Sequence, residues 1–183
     1  YLAYGESLYF SGDYVESENN TGKGFTLAQQ RNWQRGIVSG HKALGRVKLM
    51  IGHYQQAEEH LRQSITIADE HHFKTFYVES MIMLGEALMH QGYIAEAREC
   101  LLKSRGVANE LGMDVLSALT LWKEGCLAEL SGDYVTAKEL LTQSLANGLS
   151  SWWIHDPSTL GWALVGLDEL AEAQAYFQQV YTE

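Results

Sequence analysis

With 183 residues, 46% of them hydrophobic, and a formal charge of −10, the chain has apolar mass for a continuous core. Neutralising phosphates needs a basic face, which excludes nucleic acid as a partner of this segment, and no uncharged apolar run approaches the roughly 20 residues a membrane helix needs. Cys100 and Cys126 are too few for a disulfide framework or a zinc site, so the expected compartment is a reducing cytoplasm.

Gly12, Gly52, Gly92 and Gly132 stand 40 residues apart, each followed within two positions by a bulky side chain. Gly5, Gly45, Gly85 and Gly125 keep the same period upstream. Ser17, Ala57, Ala97 and Ala137 keep it downstream, as do Thr21, Leu61, Leu101 and Leu141. Positions repeating in register mean one supersecondary unit copied along an axis. Apolar residues recur at helical spacing within each unit, and strand-like alternation is absent. In the third unit Phe76, Tyr77, Met81, Leu84, Leu88 and Met89 form one stripe, and Ile94, Ala97, Leu101, Val107, Ala108 and Leu111 form the next. Each unit is therefore predicted to be two helices joined by a tight turn, with the Gly12 series accepting a left-handed conformation at the helix end.

Taken along the chain, the units span about 1–32, 33–73, 74–112, 113–152 and 153–183, a single array. The first is weak: Ser17 and Thr21 stand at apolar positions, and Gly22-Lys23-Gly24 is expected to interrupt its second helix. The second and third are regular. In the fourth, Glu124 stands before Gly125, where Leu44 and Leu84 precede their glycines. The fifth is compressed and opens on a break in rhythm from Ser150 to His155. Asp156-Pro157 then reads as an N-cap with a proline at the first helical position. Trp152 and Trp153 before it are either a satellite core under a longer loop or an aromatic binding edge. The sequence opens at Tyr1 without a methionine, no basic-then-apolar segment follows, and it closes inside a helical pattern, so it is expected to be an excised part of a longer repeat protein.

The Gly5 series falls in the middle of first helices, where glycine costs about 1 kcal/mol relative to alanine. Close approach of the paired helix is the expected compensation. Ala57, Ala97 and Ala137 would supply the facing contact, and Leu61, Leu101 and Leu141 would reach the next unit. Ala97→Leu should then overpack the contact at a cost of about 1–3 kcal/mol.

This pattern resembles the tetratricopeptide repeat. The family's Leu-Gly pair is matched by Leu44-Gly45, Leu84-Gly85 and Leu160-Gly161, and its turn and aromatic by Gly52-Tyr54 and Gly132-Tyr134. Its alanine and later large residue are matched by Ala57/Leu61, Ala97/Leu101, Ala137/Leu141 and Ala173/Phe177. The 40-residue period exceeds the family's length of about 34, so the second helices or their connections are expected to be longer. The closing proline is missing from every unit. The resemblance implies an all-α, right-handed superhelical solenoid of helix-turn-helix repeats. Phrases such as Gly132-Asp133-Tyr134-Val135-Thr136-Ala137 are similar to repeat regions of bacterial STAND signalling ATPases and maltose-activator-like transcription regulators. In those proteins such an array is the sensor, and the ATPase lies elsewhere in the chain.

No motif in the chain carries a recognisable reaction. Thr21-Gly22-Lys23-Gly24 lacks the upstream glycine, the hydroxyl after lysine and the preceding strand of a P-loop. In Asp69-Glu70-His71-His72, neighbours along a helix point in different directions, and the helix dipole explains the two histidines better than a metal does. Neither cysteine sits in a nucleophile setting, and Glu58-Glu59 reads as a solvated face. The chain is therefore expected to be neither an enzyme nor a holder of cofactor or metal. In tetratricopeptide arrays the first helices line a concave groove. On this register the resemblance implies Leu2, Glu6, Tyr9 and Phe10; Ser39, Lys42, Arg46, Leu49 and Met50; and Glu79, Ile82, Glu86, Met89 and His90. It further implies Leu119, Trp122, Cys126, Glu129 and Leu130, then His155, Ser158, Trp162 and Val165. Apolar anchors with a few placed charges suit a site for a protein, peptide or small-molecule inducer, or for other domains of the parent chain. The alternatives are a groove filled by packed side chains and, in function, a passive scaffold with no switching role.

Overall fold

A computed structural model describes residues 1–148 and 158–182. Among these residues stand ten helices and no strand: α1 (Leu2–Phe10), α2 (Tyr14–Gln30), α3 (Gln34–Met50), α4 (Tyr54–Glu70), α5 (Lys74–His90), α6 (Ile94–Glu110), α7 (Asp114–Leu130), α8 (Tyr134–Ala146), α9 (Thr159–Gly166) and α10 (Leu170–Thr182). Helices α2 to α7 are each 17 residues long, and three residues separate each from the next, so two helices and two turns make the repeat. The extra length thus sits in both helices of a unit, not in the second helix or its connection alone as expected. The Asp156-Pro157 helix start, His155, Trp152 and Trp153 lie outside the described residues.

The three-residue turns share one backbone. Their middle residue is left-handed at Gly12 (φ 82°), Asn32 (51°), Gly52 (78°), His72 (58°), Gly92 (81°), Gly112 (62°), Gly132 (76°) and Asp168 (62°). Asn, Asp and His enter this region more readily than other side chains, so the punctuation comes twice as often as the glycine series suggests. His71 and His72 lie exposed just past the C-terminus of α4, and His72 is in addition the left-handed residue of the turn. In the turn after α3, His53 N donates to Lys48 O at 2.8 Å and Gly52 N to Leu49 O at 3.2 Å, satisfying carbonyls that the helix end leaves open. After two of these turns Asp13 and Asp133 cap the next helix, accepting from Glu16 N at 3.1 Å and Thr136 N at 3.2 Å.

The chain forms two compact units, Tyr1–Cys100 and Leu101–Glu183, with the division inside α6. In the first, α3 packs against α1, α2, α4 and α5, so the first helices of three hairpins adjoin. In the second, α7 packs against α8 and α9, and α9 against α8 and α10. The mid-helix glycines explain the hairpin packing. Gly45 faces Leu61 and Gly125 faces Leu141, whose Cγ atoms lie 2.7 and 2.6 Å from where a Cβ would stand. Both leucines are 0% exposed and fill the glycine notch of their own hairpin, and Leu141 also shares a core with Leu160 and Leu164 of the next hairpin. Helix α2 also runs unbroken through Gly22-Lys23-Gly24, where an interruption was expected, and Gly24 admits Leu2 of α1.

Buried hydroxyls stitch successive hairpins. Ser64 Oγ lies 3.3 Å from Val38 O and 2.8 Å from Ser80 Oγ. In the second unit, Ser144 Oγ donates to Ala118 O at 2.6 Å, and Ser104 Oγ lies 3.4 Å from Thr120 Oγ1. An unpaired buried hydroxyl would cost about 1–3 kcal/mol, so these pairings help fix the register.

Candidate functional site

In the first unit α1, α3 and α5 bring several predicted positions onto one face. Arg46 reaches Glu6 at 3.1 Å, and its guanidinium carbon lies 4.2 Å from the Tyr9 ring centre and 5.2 Å from that of Phe10. Lys42 pairs with Glu79 at 2.5 Å and lies 5.1 Å from the Phe76 ring centre. Each cation is thus held by a carboxylate and an aromatic face, which restricts an otherwise mobile side chain. The Arg46 side chain is only 11% exposed, and its Nε donor has no partner. An orphaned buried donor costs about 1–3 kcal/mol unless an acceptor arrives. Burial pushes the Tyr9 phenol up to about 12 despite the opposing charge of Arg46, so it remains neutral at ordinary pH.

The other predicted residues divide by burial. Leu49 and Met89 are buried, Ile82 is buried more deeply, and Met50 and Glu86 are half-buried. His90 is exposed and stacks on Tyr54 with ring centres 4.6 Å apart. In the second unit Trp122 is 1% exposed within a core that includes Ala118, Leu160, Ala163 and Leu164. Leu119 and Cys126 pack against that core, with Cys126 Sγ 3.8 Å from Thr159 Oγ1. Glu129 is half-buried, and Trp162 is exposed with its ring centre 5.5 Å from that of Phe177. Ile82 and Trp122 therefore sit as core side chains, because adjoining helices close over them. The charged part of the site lies on the first unit.

A cavity of about 530 Å³ opens beside Leu2, Glu6 and Ser39, three predicted face positions, and is also lined by Leu27, Arg31 and Trp33. Trp33 is 55% exposed. Sequence reasoning missed Trp33 and Phe76. Phe76 precedes Glu79 by one helical turn on the same face, a spacing that was available to find it. Trp33 sits in the turn before α3, at a position where Phe73 and Met113 recur 40 residues apart as the N-caps of α5 and α7, so the period was available to find it too. Among the described residues no group of three or more His, Cys, Asp or Glu side chains is placed to hold a metal ion, and no helix is long and apolar enough to cross a membrane.

A tetratricopeptide repeat family model matches residues 78–103, and no curated protein matches the sequence. The apo form of RapI is similar in structure, with a TM-score of 0.72 at 14% identity over 98% of this chain and 51% of its own. The chain thus spans about half the length of that protein. A putative kinesin light chain from Podosopora anserina, with nearly identical TPR-like repeats, gives 0.70 at 18% identity over 99% of this chain and 92% of its own. BtubC from P. vanneervenii gives 0.70 at 16% identity over 97% and 73% respectively. At such identities the likeness shows the fold, an all-α array of tetratricopeptide-like hairpins.

Proposed function

We propose that this chain, a tetratricopeptide-like array of a kind that serves protein interaction, binds a peptide or flexible protein segment on the α1–α3–α5 face. One observation carries the reading: the 530 Å³ cavity beside Trp33 adjoins the Arg46–Glu6 pair, whose buried Nε lacks an acceptor. An apolar side chain suits the cavity, and a ligand carbonyl or carboxylate suits Arg46. Such a cavity lies within the range of about 300–1,000 Å³ typical of ligand sites. The wider role is that of a sensor, one continuous array within a longer cytoplasmic signalling ATPase or transcription regulator. Its inducer is a peptide, a protein, a small molecule or a domain of the same parent chain. Such a sensor works only if the inducer prefers one state of the parent protein, since equal affinity for both shifts nothing. A passive scaffold is the second reading, favoured by the pairing of Lys42 and Arg46 with Glu79 and Glu6, which leaves the face formed before any ligand arrives.

The test is selection from a displayed peptide library against the 183-residue chain, followed by titration of the selected peptides. Arg46→Ala and Trp33→Ala should each weaken binding by about tenfold or more, the range of interface anchors, with helicity unchanged. Peptides that bind both variants as well as the original chain would end the proposal. ATPase stimulation by the same peptide in the parent protein separates sensor from scaffold.

A further inference from the structure

His41 on α3 and His60 on α4 meet within the second hairpin, with Nδ1 atoms 3.1 Å apart and ring centres 5.4 Å apart. Phe25 of α2 packs edge-on against His41 at 4.6 Å. At this separation one ring donates its Nδ1–H and the other offers a lone pair, so the neutral pair holds complementary tautomers. A first added proton binds Nε2 of the donor ring and leaves the Nδ1–H···Nδ1 bond intact. A second must bind the acceptor's Nδ1. That sets two N–H groups and two like charges head to head in a half-buried contact.

The carboxylates nearby relieve this conflict only in part, since burial and Lys48 outweigh Glu59 and Glu18 at His60. Glu18 of α2 is engaged by Lys48 of α3 at 2.8 Å, and these two groups and Glu59 of α4 all act on His60. From α1 and α5, Glu6 and Glu79 also face α3, but they are paired with Arg46 and Lys42. We propose that the His41–His60 contact is a proton-operated latch between α3 and α4, closed while at most one ring is an imidazolium and forced apart when both are.

Burial, then the charge of His60, pushes His41 down to about 4, and burial with the charge of Lys48 lowers His60. Both folded values lie below the ordinary 6.5, so the unfolded chain binds more protons as pH falls. The latch's contribution is therefore full above about pH 6.5 and is lost as pH falls toward 4. It depends on the hairpin geometry and not on any ligand.

Imidazole NMR on the intact chain between pH 8 and pH 4 tests the latch. His41 should remain neutral below about pH 5, and in His60→Gln its midpoint should rise by about one unit or more as the like charge is removed. Both rings titrating independently near 6.5, or an unmoved His41 midpoint in His60→Gln, would overturn the proposal. A double variant, His41→Gln with His60→Gln, retains hydrogen-bonding capacity without titrating. If the original chain unfolds before His41 titrates, the double variant should stay folded to lower pH, and equal acid-unfolding midpoints would count as failure.

Discussion

Glycines at Gly22 and Gly45 both lie inside helices, yet substitution should move stability in opposite directions. A Cβ at Gly22 would meet open space, whereas one at Gly45 would lie 2.7 Å from Leu61 Cγ and 3.3 Å from Ala57 O. Alanine gains about 1 kcal/mol of helix propensity over glycine at either position. Nothing opposes that gain at Gly22, so Gly22→Ala should stabilise the chain by about 1 kcal/mol. At Gly45 the added methyl must displace a leucine that is 0% exposed. Overpacking of this kind costs about 1–3 kcal/mol, which outweighs the propensity gain, so Gly45→Ala should be net destabilising. Urea unfolding of the two variants decides the matter, and equal stabilisation by both would remove close approach as the reason for the glycine series.

At the scale of helices, Glu124 shows how a departure from the repeat is accommodated. Its side chain is 8% exposed on α7, in the place that Leu44 and Leu84 hold in earlier hairpins, and Arg105 of α6 reaches it at 2.9 Å. Arg105→Ala removes that counter-charge from a buried carboxylate and should cost about 1–3 kcal/mol. The loss falls below the roughly 3–5 kcal/mol of a fully buried pair because Arg105 is 32% exposed and water already screens it. Glu124→Leu should be neutral or stabilising, and adding Arg105→Ala to it should cost little more, a non-additivity readable by chemical denaturation. The 40-residue period made the hairpins legible in sequence because glycine is the residue that turns and close contacts select. The turns at Asn32 and His72 fall at the unit boundaries, but their left-handed residues, like Asp168, went unmarked because several residue types share one backbone conformation. Arg105–Glu124 and His41–His60 were equally hidden, since each joins helices across a turn and no local spacing announces it. The candidate face was legible in part. Lys42 and Arg46 emerged from the family register, while burial of Ile82 and Trp122 depends on how closely neighbouring helices pack.

For the whole molecule, repeat energetics imply that stability accumulates from hairpins and the seams between neighbours, so no distant part is needed to fold a given stretch. The first compact unit contains the α1–α3–α5 face, and its boundary at Cys100 falls inside α6. Cutting there would leave half a helix without its partners. Cutting after Glu110 keeps α6 entire and leaves three complete hairpins, about the minimum such arrays need for independent stability. Residues 1–110 should therefore fold alone, with helicity per residue close to that of the full chain and one cooperative melt by circular dichroism. Arg46, Tyr9, Trp33 and the cavity all lie within this piece, so peptides selected on the full chain should bind it with affinity within about threefold, the usual context dependence of such contacts. A folded fragment that fails to bind would move the recognition face to residues beyond Glu110, and an unfolded fragment would show that hairpin stability is not a local sum.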